Sequence, residues 1–151
     1  KNWKTSTGAD RYRRGMYTFF KRTSPHPNLT TFDCPDSNVT CVKRNISNTP
    51  IAALATLNNS VFTEAAKAMA KRLMKQHDND SDRITFGFKL CTAREPTSKE
   101  IGAFSSLLRK SRNFYAKNES EAKAFNGDAE ASAWANLARI LLNLDEFITR
   151  E

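Results

Sequence analysis

Glycine is scarce in this 151-residue chain, with five residues in all. That argues against a phosphate-cradling loop, which needs several small residues in a row so that backbone amides can approach the ligand. Cysteine and histidine are scarcer, at three and two. No CxxC or CxxCH occurs, so the chain carries no signature of a zinc site or of covalent haem attachment. The sequence therefore implies no metal and no cofactor, and no nucleophile–base pattern is visible. Apolar runs are short as well, none approaching the ~20 residues that cross a bilayer. A secretory signal peptide is also missing. The chain opens on Lys1 rather than Met, and we read it as a fragment or mature product of a larger protein, so this absence says little about location.

What is plentiful is positive charge in one place. The net charge is +8, and residues 1–50 carry nine Lys or Arg against three Asp or Glu. The following fifty carry eight against six, and the remainder seven against seven. Such asymmetry raises the odds of a polyanionic partner, although it is a solubility statement first.

Read in order, residues 1–10 form a flexible, polar lead-in and residues 11–151 a single helical domain. Tyr12, Met16, Phe19 and Phe20 recur at helical spacing, opposite Arg13, Arg14, Lys21 and Arg22. They predict a helix over 11–22, ended by Pro25 and Pro27. Residues 23–48 lack a helical period and form one long loop, ordered by Leu29, Phe32, Val39, Val42 and Ile46. Val39–Val42 is β-prone. Thr49-Pro50 opens a short helix through Leu57, by N-cap and first-position proline. Ser60 can cap a helix to about Gln76. Asp80 or Ser81 caps one bearing Ile84, Phe88 and Cys91, which Pro96 stops. Thr97 and Glu100 stand at capping-box spacing before a helix carrying Ile101, Phe104, Leu107, Leu108 and Tyr115. A polar connector over 117–127 has a weak helical turn at Ala122–Phe125. Asp128 caps the last helix, whose stripe runs from Trp134 through Leu137, Ala138, Leu141 and Leu144 to Ile148. The fold class is all-α, an array of about five to six antiparallel-paired helices.

Three groups are candidate sites. Arg13, Arg14, Tyr17, Lys21 and Arg22, with Arg11, place cations beside aromatics, which suits phosphates, sulfates and sugar or base rings. The plainer reading is an amphipathic helix with core aromatics and solvated charges. Asp33 and Asp36, with Arg44, could serve as acid and base on a substrate or bind a cation, or simply act as turn formers with an ion pair to Arg44 or Arg22. Asp145 and Glu146 oppose the dipole of the last helix and call for a cation, Arg150 or the basic helix, as a structural pair. His26 and His77 read as surface residues. Cys34 and Cys41 are close enough for a small disulfide loop in an oxidising compartment, or are two separate thiols.

Four runs are familiar: Tyr17–Pro25, Phe32–Asp36, Asn48–Leu54 and Leu141–Glu151. Together they resemble the C-terminal portion of a domain of unknown function from large secreted planctomycete proteins, where a cytochrome-c-like domain often lies upstream. Thr92–Thr97 fits the same pattern, and the resemblance spans Arg11 to Glu151. The family more often has tryptophan at Phe20, alanine at Cys34 and an arginine–glutamate pair at Ser37-Asn38. An unusual cysteine at Cys34 lends weight to a lineage-specific bridge with Cys41. The resemblance implies an exported, periplasmic or envelope location and upstream domains of one parent as partners, but no chemistry. The leading expectation is thus a non-catalytic module that packs on a neighbouring domain or binds an acidic ligand, such as a sulfated polysaccharide. The alternatives are a polysaccharide-acting site built on Asp33, Asp36 and Arg44, or nonspecific polyanion binding. Nucleic acid fits poorly, since no recognised binding motif is present.

Overall fold

The computed structural model describes residues 6–36, 38–43, 45 and 47–149. The protein is all-α, with no strand among the described residues, and it divides into two compact units, Lys1–Ala55 and Thr56–Glu151.

The first unit holds two 3-10 turns, Gly8–Tyr12 and Gly15–Tyr17, then α1 (Pro27–Thr31) and most of α2 (Pro50–Asn58). The helix expected over 11–22 is absent. Backbone at Arg13 and Arg14 is extended, with ψ of 146° at both, and Thr18 extends it again. Short helices are marginal in water unless a face is buried, and nothing buries this one: Tyr12, Met16, Tyr17 and Phe19 are 60–71% exposed. Gly15, with its poor helix propensity, breaks what cooperativity remains. The two prolines also act differently from the expectation. Pro27 starts α1 rather than ending a helix, and His26 caps it, Nδ1 accepting from Asn28 N–H at 3.2 Å. Val39–Val42 forms no strand, and both valines are exposed.

The second unit is where the sequence punctuation works. α3 (Ser60–Gln76) is capped by Asn59 one residue ahead of the predicted serine, Asn59 Oδ1 accepting from Val61 N–H at 2.9 Å. α4 (Asp80–Thr92) is likewise capped one residue early, by Asn79. α5 (Ser98–Lys117) opens with the predicted capping box, complete in both directions. The polar connector is a full helix, α6 (Glu119–Asn126), turned by Gly127 at φ 92°. Asp128 caps α7 (Ala129–Leu141) at 2.8 Å. The stripe predicted as one last helix is broken after Leu141. Leu142, Asn143 and Leu144 take tightened i→i+3 or helix-end bonds, and a separate short helix follows, α8 (Asp145–Ile148).

α7 is the axis of this unit, packing most extensively on α3 and α5. Ala133, Trp134, Ala135, Leu137, Ala138 and Leu141 have no exposure at all. Small residues let α3 and α7 approach closely, and Trp134 fills the space that remains. By contrast, Ala52 is the one buried hydrophobic residue among the described positions of the first unit.

Candidate functional site

The basic-aromatic group and the loop carboxylates lie in the first unit, which is also the exposed one. Gly15–Tyr17 is a tight turn in which Tyr17 N–H donates to Arg14 carbonyl at 2.9 Å and Thr18 N–H to Gly15 carbonyl at 3.0 Å. Gly15 lies close against Leu29, where an added Cβ would meet Cδ2 at 3.0 Å, so the turn is seated on α1. It holds Met16 and Tyr17 outward, 71% and 64% exposed. The cations around it divide into two kinds. Arg13 donates to Asp10 at 2.6 Å and Arg22 to Asn38 at 2.8 Å. Arg14 and Lys21 are exposed and have no ion-pair partner among the described residues. Arg11 lies over the Tyr12 ring at 5.8 Å.

The loop carboxylates serve the loop itself. Asp33 sits at φ 55°, and its Oδ2 accepts from Ser47 N–H and Ser47 Oγ at 2.9 and 2.7 Å. It thereby ties the start of the loop to its end. Asp36 Oδ1 accepts from the backbone and side-chain nitrogens of Asn38, at 3.0 and 2.8 Å. Asn38 in turn receives Arg22, so the chain Arg22–Asn38–Asp36 replaces the ion pair to Arg22 that the sequence suggested. Arg44, the third member of the expected trio, lies outside the described residues, as do Ile46 and Arg150. Asp33, Asp36, Cys41 and Lys43 border a shallow hollow of about 390 Å³. Cys34 and Cys41 stand as free thiols rather than a bridge, their Sγ atoms against the carbonyls of Pro35 at 3.7 Å and Lys43 at 3.3 Å. Cys91 is buried in the second unit, and burial pushes its thiol up to about 11.

Arg83, Arg94 and Arg112 in the second unit are committed to structure, and sequence periodicity gave no sign of it because their partners are distant. Arg112 on α5 donates to Asp80 at the start of α4 and to Glu130 on α7, 2.5–2.9 Å where the contacts are of ordinary length. These bonds hold both carboxyls below their usual range. Arg83 donates to the carbonyls of His77 and Met74, satisfying the open end of α3. Arg94 is the hub of the α4–α5 turn. It pairs with Glu100 at 2.8 Å and Glu146 at 2.6 Å, and lies over the Phe88 ring at 4.7 Å. Glu146 is thus compensated by Arg94.

This hub makes the protein acid-sensitive. Glu100 is held down to about 2, chiefly by Arg94 and then by the Thr97 amide and hydroxyl, and Glu146 is lowered by Arg94. Carboxyls depressed in the folded state stabilise it fully above their unfolded values and lose that contribution as pH falls through the folded ones. Melting temperature should therefore fall between about pH 4.5 and 2 in the wild type. In Arg94→Gln the fall should be shallower, read by circular dichroism across that window. Parallel curves for the two proteins would refute the role of Arg94.

Among the described residues, no three His, Cys, Asp or Glu side chains gather in a metal-ligating group, and no helix is long and apolar enough to cross a membrane. No curated protein and no solved structure gives a significant match to the chain. A family of proteins of unknown function does match, over residues 1–108. That span covers the basic segment, the loop and α2 to the middle of α5. It leaves out Leu141–Glu151, one of the four runs on which the sequence resemblance stood. With well over half of its residues matched, the chain belongs to the PSD1 family, described as protein of unknown function (DUF1553).

Proposed function

We propose that this chain is a non-catalytic docking module, with the second unit as a stable scaffold and the first unit as the part that engages another protein domain. The observation that supports this reading is the distribution of exposed apolar side chains. Of the eleven large hydrophobics in that state among the described residues, eight lie in the first 55 positions. Single exposed apolar residues are ordinary, but several in succession along one basic segment mark an interaction surface. The partner is a neighbouring domain of the same exported parent, in keeping with the resemblance to large secreted planctomycete proteins. The Asp33–Asp36 loop gives less support to a polysaccharide-acting site, since both carboxylates accept internal hydrogen bonds that fix turns.

Hydroxyl-radical footprinting tests the reading. Met16 and Tyr17 should be modified several-fold more slowly in the protein as isolated from its source than in the 151-residue chain alone. Equal rates in the two preparations would overturn docking at this segment.

A further inference from the structure

Resting on that docking reading, we infer that the turn Arg14–Thr18, together with Lys21, receives an acidic protein surface that carries an aromatic or aliphatic side chain. Three observations combine. Met16 and Tyr17 are held outward by a turn with two internal backbone hydrogen bonds, so little ordering entropy is lost when they are covered. Arg14 lies two residues before Met16, Lys21 lies four residues beyond Tyr17, and neither cation has an ion-pair partner among the described residues. The unit as a whole is strongly basic, nine Lys or Arg against three Asp or Glu through residue 50.

Charge complementarity fixes the sign of the partner, and the side chains between the cations fix its class. A nucleic acid or sulfated glycan is held mainly through charge, with affinity that scales with the number of cations engaged. Around this turn Arg13 is already paired with Asp10 and Arg22 donates to Asn38, which leaves Arg14 and Lys21 as the cations that flank Met16 and Tyr17. Methionine, tyrosine and arginine are instead the residue types enriched at the centres of protein interfaces. An acidic protein segment satisfies Arg14 and Lys21 while its apolar side chain covers Met16 and Tyr17.

The test uses the whole chain and three labelled probes: a glutamate–tyrosine random copolymer, polyglutamate and heparin, each at low and high salt. The copolymer should bind more tightly than polyglutamate and retain binding at high salt. Tyr17→Ser should weaken it about tenfold, the loss expected from an interface aromatic. Arg14→Gln with Lys21→Gln should weaken binding chiefly at low salt, with unchanged helicity as the folding control. Heparin binding as well as the copolymer, with collapse in salt, would overturn the inference in favour of general polyanion attraction. Indifference to Tyr17→Ser would overturn it too. Failure of every probe, with Met16 still protected in the source protein, would refute the acidic partner and leave docking standing. Failure of both would remove docking as well.

Discussion

Trp134→Ala is expected to remove about 3–5 kcal/mol of stability, the usual cost of truncating a buried aromatic to a methyl group. Trp134 has no exposure and is the largest of the fully buried side chains. Its neighbours along α7 are alanines and leucines, and the α3 residues that share its buried core are Ala66, Ala70 and Leu73, small or tightly packed side chains that fill little of a vacated space. The indole also makes directional contacts. Nε1–H donates to Glu130 Oε1 at 2.9 Å, and the Arg83 guanidinium lies 5.6 Å from the ring. Truncation therefore removes volume and also one donor from the carboxylate that Arg112 grips. Because domains have only about 5–15 kcal/mol of net stability, this single change consumes a large share. Urea denaturation followed by circular dichroism gives the number. Trp134→Phe, which restores most of the volume but not the N–H, should recover more than half of the loss. A loss under about 1 kcal/mol for alanine would mean that the core repacks and that α7 is not its axis.

Gly87→Val should be comparably damaging, at about 3 kcal/mol, for the opposite reason of too much volume. Gly87 lies in the middle of α4, where a Cβ would meet Leu141 Cδ1 at 3.0 Å and the two Leu73 methyls at 3.1 and 3.2 Å. Both leucines are fully buried with little room to move, so α4, α3 and α7 meet where even a methyl is tight and a branched side chain does not fit. Gly87→Ala sets the gain in helix propensity, up to about 1 kcal/mol, against a milder overlap, and should come out near neutral or slightly unfavourable. Gly102 on α5 is the matched control. A Cβ there meets nothing within 4 Å, so Gly102→Ala keeps the propensity gain alone and should stabilise. Equal denaturation midpoints for Gly87→Val and the wild type would show that the close approach is not needed.

These two residues illustrate what the sequence could and could not disclose. Trp134 was legible, because α7 announces itself with an aspartate cap and a stripe at helical spacing. Gly87 was not, because the tight fit at that position comes from leucines 14 residues before it and 54 after it. The same limit hid Arg94 and Arg112. A guanidinium that ties α4, α5 and α7 together looks, along the chain, like any solvated cation. In the first unit the error ran the other way. Tyr12, Met16 and Phe19 had helical spacing, but spacing yields a helix only where a packed face supports it, and these side chains are exposed. The loop was better anticipated. Asp33 and Asp36 act as the turn residues that short acidic side chains usually are, although their partners, Ser47 and Asn38, could not be named from spacing.

The three cysteines turn the division between the units into a chemical handle. Thiols react as thiolates, so Cys91, buried and with its titration pushed up to about 11, should stay silent toward a maleimide dye at neutral pH. Cys41 is exposed and Cys34 half-buried, so the label enters the first unit alone while the scaffold remains dark. A fluorophore placed there by native chemistry, with no engineered residue, would sit on the loop that Asp33 and Asp36 shape, in the unit that carries the basic segment. The protein thus supplies its own reporter on the unit through which we expect it to meet other molecules.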